Sequence, residues 1–172
     1  QTTHGSRVED LWELADAPAV LGEDLTPPWH VSAPWLQVSE FVDWPDVGRW
    51  ARSLFPAAKL PAELERLAAA WEERHASSEE RALAAVDWVQ RNIRYVGIEL
   101  GVGSYRPSPP ATVASRRFGD CKDQVYLLCA LLARMGIEAS PVLVSTWAGP
   151  LVTRLPPSPL PFDHVVARVV LG

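Results

Sequence analysis

The sequence predicts an α+β fold, on three observations. Four stretches between residues 45 and 135 carry the apolar period of amphipathic helices. Two short alternating segments, 141–147 and 164–171, come after them and read as strands. Helices first and strands afterwards is the order of an α+β domain rather than of a parallel βαβ sheet. The 172 residues suffice for one ordinary domain plus an appendage, and 48% apolar with 22% charged residues is the globular average. Sixteen prolines and eight tryptophans, against ten glycines, point to stiff, extended connections around a tryptophan-containing core.

Residues 1–44 hold no helical period. Leu11, Trp12 and Leu14 lie near the start, and Pro18, Pro27, Pro28 and Pro34 punctuate the rest. Residues 35–41 alternate and read as a short strand. With so little apolar surface, 1–44 is expected to be an extended arm or the tail of a preceding domain, and the main domain to run from 45 to 172. A first helix begins with Pro45 in its first turn, presents Val47, Trp50, Ala51 and Leu54, and ends near Phe55 and Pro56. A second begins at Pro61, carries Glu63 and Glu65 early and Arg74 and His75 late, and so matches the helix dipole. A third opens on a capping box of Ser77 and Glu80, with Ala82, Val86, Val89 and Ile93 as its buried stripe. Trp71 and Trp88 are expected to pack near this pair.

Residues 97–119 read as one long loop, from Gly97, Gly101 and Gly103 through Pro107, Pro109 and Pro110. A loop of that length inside a domain is usually functional. The strongest helix comes next, over 121–135, with Val125, Leu128, Cys129, Leu132 and Met135 on its apolar face and Gly136 as terminator. A second proline-rich loop, holding Pro150, Pro156, Pro157, Pro159 and Pro161, separates the two strands.

Several function classes drop out at this level. A net charge of −5 disfavours capture of nucleic acid or anionic lipid. No run approaches the roughly 20 apolar residues of a membrane span. The chain has no initiator Met, and its last alternation stops at Gly172; a segment of a longer protein is expected. Cys121 and Cys129 fall on one helix about 12 Å apart along its axis, too far for a disulfide.

Cys121 sits at the first turn of the strongest helix. An ordinary thiol with a pKa near 8.5 is only a few per cent ionised at pH 7. A helix N-terminus lowers that by at most about one and a half units, whereas His-paired thiols reach about 4. A histidine partner is therefore required if Cys121 is a nucleophile. Of the four histidines, His4 lies in an irregular stretch, His30 in a Trp/Pro loop and His75 at a helix end. His164 opens an apolar strand, a position from which an imidazole can face a helix N-terminus. A lone cysteine by an apolar face is more often core, and Cys129 is assigned there. Gly101 and Gly103 lack the following helix that a phosphate site needs. Asp120, Cys121, Asp123, Asp163 and His164 form a metal set only on paper, with Lys122 inside it, so no metal and no cofactor is expected. Arg116 and Arg117 read as a solvated basic pair.

Tyr95-Val-Gly-Ile, Tyr105-Arg-Pro, Phe118-Gly-Asp-Cys-Lys-Asp, Leu127-Leu-Cys-Ala-Leu-Leu-Ala-Arg-Met-Gly-Ile and Phe162-Asp-His-Val together closely resemble the bacterial transglutaminase-like superfamily over about residues 77–172. The interval of 43 residues from Cys121 to His164 suits that family. Residues 1–50 are similar to the end of the β-rich domain that often precedes this core, through Trp12, the Pro18-Ala-Val-Leu-Gly-Glu run and Ser39-Glu-Phe-Val-Asp-Trp. The resemblance implies a papain-like α+β core, helices packed on an antiparallel sheet and cut on its C-terminal side. It also implies a Cys–His–Asp triad with Cys121 as nucleophile and His164 as base. The orienting aspartate is then expected beyond residue 172, since Asp163 as strand neighbour of His164 points to the opposite face. The Cys121 N–H and a loop donor would form the oxyanion hole. Tyr105 is the candidate donor, although its loop equally suits a structural corner.

The activity implied is thiol-dependent acyl transfer on an amide of a peptide or protein substrate, as hydrolysis or transamidation. This chain alone is expected to be inactive or weakly active. The alternative is a peptide-binding or scaffolding module without turnover, its proline-walled loops at 97–119 and 148–162 holding an extended peptide. By the same resemblance, the setting is extracytoplasmic, periplasmic or exported, in a bacterium.

Overall fold

The computed structural model describes residues 2–17, 19–20, 24–27, 29–97 and 100–171. The chain divides into two compact units, Gln1–Leu36 and Gln37–Gly172. The first holds an antiparallel hairpin of β1 (Thr2–His4) and β2 (Arg7–Glu9), with Thr2 opposite Glu9 and Gly5 in the turn at φ +64°. His4 thus belongs to a hairpin and not to an irregular stretch. Of the Pro18-to-Glu23 run, Pro18, Leu21, Gly22 and Glu23 lie outside the described residues.

No strand forms over 35–41. The Ser39 hydroxyl donates to the Pro157 carbonyl and accepts the Phe41 N–H at 3.2 Å, while the Phe41 ring packs edge-on to Trp50. Side-chain bonds therefore take the place of a ladder, and the second unit starts at Gln37.

Helix α1 (Trp44–Ser53) begins where the Asp43 carboxylate accepts the Asp46 N–H at 2.7 Å, with Pro45 in the first turn. Helix α2 (Ala62–Arg74) follows Pro61 and buries Leu64, Ala68 and Trp71. The expected capping box opens α3 (Ser78–Asn92): Ser77 Oγ accepts the Glu80 N–H at 3.1 Å and Glu80 accepts the Ser77 N–H at 3.3 Å. Its buried face is Ala82, Ala85 and Val89, continued by Ile93; Val86 is half-buried beside it.

The stretch expected as one loop is broken by structure. Strand β3 (Arg94–Tyr95) pairs in parallel with β4 (Phe118–Gly119), and between them lie a 3-10 turn at Gly101–Ser104 and the seven-residue helix α4 (Pro110–Arg116). Pro110 at the first helical position is compatible with a helix because its missing N–H is not needed there. Val113 and Ala114 anchor α4 in the core.

Helix α5 (Cys121–Arg134) is central, touching α2, α3, α4 and the antiparallel pair β5 (Ala139–Val144) and β6 (His164–Val169). Packed from several sides, it buries Tyr126, Leu127, Leu131, Leu132 and Met135, a face rotated from the expected one; Val125, Leu128 and Cys129 are half-buried. Gly136 ends it at φ +71°, a left-handed conformation that glycine adopts without penalty. In the sheet, His164 pairs with Val144, the last residue of β5. Among the described residues no helix is long and apolar enough to cross a membrane.

Candidate active site

The start of α5 is held by a buried ionic capping box. The Asp120 carboxylate accepts the Asp123 N–H at 3.2 Å, and the Asp123 carboxylate accepts the Asp120 N–H at 3.4 Å. Asp123 also accepts the Ser108 N–H at 2.7 Å and a bond from the Arg116 guanidinium. The Lys122 ammonium donates to the other oxygen of Asp120. Asp120, Lys122 and Asp123 are only 4%, 3% and 4% exposed.

Arg116 is therefore no solvated residue. Besides Asp123 it bonds the Phe118 carbonyl at 2.7 Å and lies over the Phe118 ring. Arg117 pairs with Glu63 at 3.0 Å and lies over Trp88. The sequence carried no signal that picks Arg116 for the first contact, since Arg117 lies nearer to Asp120 and Asp123 along the chain and the burial of the cap is not legible there.

Gly119 is fixed by the same box. A Cβ there would stand 2.6 Å from the Asp123 Cβ and 2.9 Å from its Oδ2. Three bonds immobilise that carboxylate, so the neighbour cannot move aside. Gly119→Ala is expected to destabilise the fold by about 1–3 kcal/mol, the cost of overpacking; a urea midpoint equal to that of wild type contradicts this.

Cys121 occupies the first position of α5, is 8% exposed, and lines a cavity of about 260 Å³. His164, half-buried at the head of β6, lines the same cavity, and so does Tyr105. The Tyr105 ring packs edge-on to Trp50 at 5.3 Å, so α1 supports the wall that faces the cysteine. The structure thus gathers Cys121, His164 and Tyr105 around one space.

Asp163 reaches the rim of this cavity but its carboxylate is engaged elsewhere. It accepts the Thr146 N–H at 2.8 Å and the Thr146 hydroxyl, and these bonds hold its carboxyl below the usual aspartate range. Cys129, two turns along α5, is half-buried, and desolvation pushes its thiol up to about 11. Neither cysteine is in a disulfide. His30 is exposed, and His75 ends α2, its N–H on the Trp71 carbonyl and its own carbonyl accepting from Arg81. Among the described residues no group of three His, Cys, Asp or Glu side chains is placed to hold a metal ion.

Comparison with known proteins bears on this arrangement. A family model described as the transglutaminase-like superfamily matches residues 65–155, more than half of the chain and inclusive of Cys121. A solved structure of a proposed protease from Parabacteroides distasonis superposes with a TM-score of 0.62 at 13% identity, over 76% of this chain and 25% of that one. A proposed cysteine protease from Cytophaga hutchinsonii gives a TM-score of 0.49 at 20% identity, over 73% of this chain and 39% of that one. The chain thus spans well under half the length of either. No curated protein matches it. With the α+β fold shared with the first of these structures and the family model covering α3, α4 and the whole of α5, the chain belongs to the transglutaminase-like superfamily.

Proposed function

We propose that this domain performs thiol-dependent acyl transfer on amide bonds of peptide or protein substrates. The observation that carries the reading is the shared cavity of Cys121, at the first turn of α5, and His164, at the head of β6. His164 takes the proton of the Cys121 thiol, and the thiolate attacks the amide carbonyl carbon. The developing oxyanion is met by the Cys121 backbone N–H, with the Tyr105 hydroxyl as second donor. The C–N bond then breaks, His164 returns its proton to the leaving amine, and a thioester remains on Cys121. Water or a second amine resolves it, giving up a proton to His164 while the sulfur leaves as thiolate.

In this reading α5 on β5 and β6 is the helix-on-sheet core of a papain-like fold. The imidazole would be oriented by an aspartate outside this chain, since the Asp163 carboxylate is bound to Thr146. An extracytoplasmic setting is part of the same proposal.

The test uses the full-length protein with a pool of glutamine-containing peptides and a fluorescent primary amine. Amine incorporation, ammonia release and new peptide N-termini are followed together. At least one product is expected. It should vanish in Cys121→Ser and fall by roughly 10²–10⁴ in His164→Ala, the usual range for a general base. Product formation that survives Cys121→Ser overturns the proposal, and so does peptide binding without any product, which would assign the cavity to a binding module.

A further inference from the structure

Cys121 stands between the two carboxylates of its own helix cap, an unfavourable place for a sulfur that must become an anion. Asp120 immediately precedes it and Asp123 is two residues on, both nearly inaccessible to solvent. The helix N-terminus favours an anion, but Asp120 already accepts the N–H of Asp123 there. A thiolate beside it is a second negative charge in the same low-dielectric neighbourhood.

The charged groups around Cys121 come from five segments of the chain. Asp120, Lys122 and Asp123 belong to the start of α5, Arg116 to α4, His164 to β6, and Asp163 to the segment leading into β6. Arg106, with Tyr105 beside it, comes from the segment before α4 and lines a rear cavity together with Arg116, Lys122 and both carboxylates. Asp123 is matched by Arg116. Asp163 is exposed and bound to Thr146, so solvent screens it. Among the described residues the one cation paired with Asp120 is Lys122, whose side chain is 4% exposed and lines the catalytic cavity as well as the rear one.

We propose that Lys122 is a positioning residue for the nucleophile: its buried ammonium cancels the Asp120 carboxylate, so that Cys121 ionises beside a neutral pair instead of beside a lone anion. Lys122 acts through Asp120 and not as a direct partner of the sulfur. The inference rests on the reading of Cys121 as the nucleophile. Two unit charges one residue apart, at an effective dielectric constant of about 20, shift each other's titration by about one to two pH units.

The experiment reads the pH midpoint of iodoacetamide alkylation at Cys121, resolved from Cys129 by peptide mass spectrometry. Lys122→Met is expected to raise the midpoint by about one to two units. In Lys122→Met/Asp120→Asn both charges are gone, Asn still caps the helix, and the midpoint is expected to return to that of wild type. An unchanged midpoint in Lys122→Met overturns the proposal. A midpoint raised equally in the single and double variants also overturns it, because Lys122 would then act on the sulfur directly. If the single variant does not fold, the double variant decides: a wild-type midpoint supports compensation and a raised one refutes it. A wild-type midpoint in the ordinary thiol range defeats the nucleophile reading instead, and the shift between variants still reports on the charge balance.

Discussion

At pH 6 iodoacetamide is expected to alkylate Cys121 about a hundred times faster than Cys129. Burial holds the Cys129 thiol at about 11, so only ~10⁻⁵ of it is thiolate at that pH. His-paired thiols, with pKa values near 4, are almost wholly thiolate at that pH, and Cys121 is expected to behave as one. The weaker nucleophilicity of a low-pKa thiolate returns roughly three of the five orders of magnitude, at a Brønsted slope of about 0.4–0.5. Exposure works the other way, because Cys121 is 8% exposed and Cys129 is the more accessible of the two. An order set by access alone would therefore be reversed.

The pH profile decides more than the ratio. The Cys121 rate should be nearly flat above about pH 5 in wild type and should climb toward about pH 8.5 in His164→Ala. A tenfold rise per pH unit between 6 and 8 in the wild-type protein means that the thiol is not activated.

The second large effect falls on the ionic cap. Asp123→Ala is expected to cost about 3–5 kcal/mol, the usual result of removing one partner from a buried ion pair. The variant strands the Arg116 guanidinium, whose side chain is 29% exposed, and removes the acceptor of the Ser108 and Asp120 N–H groups. At about 2–4 °C per kcal/mol for a chain of this size, the Tm should fall by roughly 6–20 °C. The contrast is Arg91→Ala on α3, which breaks the exposed i,i+4 pair with Asp87 and should cost no more than about 0.5 kcal/mol. Similar Tm values for the two variants would show that the cap contributes no more than a surface pair.

Where sequence reasoning succeeded, the signal was local. Pro61, the Ser77 and Glu80 box, and Gly136 mark helix ends through bonds or dihedral limits that involve only near neighbours, and each sits where expected. The two strands were legible from alternation within a residue or three of their ends. Where it failed, a distant partner decided. Residues 35–41 alternate like a strand but pair with no strand among the described residues, and Ser39 bonds the carbonyl of Pro157 instead. The prolines at 107–110 signal a loop, yet burial of Val113 and Ala114 makes a helix of Pro110–Arg116. The apolar face of α5 could not be chosen by period, because helices and strands cover it on several sides.

By itself the sequence determined the α+β class and the closing run of α5, β5 and β6, though not the β1–β2 hairpin or the β3–β4 pair, as well as the start of α5 at Cys121 and the singling out of Cys121 and His164 as chemically interesting. These depend on short-range capping, periodicity and residue chemistry. Only the tertiary structure decided that both residues line one cavity, that Tyr105 joins them against Trp50, and that Asp163 is turned to Thr146. It also decided that Asp120, Lys122 and Asp123 form one buried network, closed by the half-buried Arg116. The physical reason is that desolvation and pairing of charge depend on what the rest of the chain brings close, and a linear pattern of residues does not contain that distance.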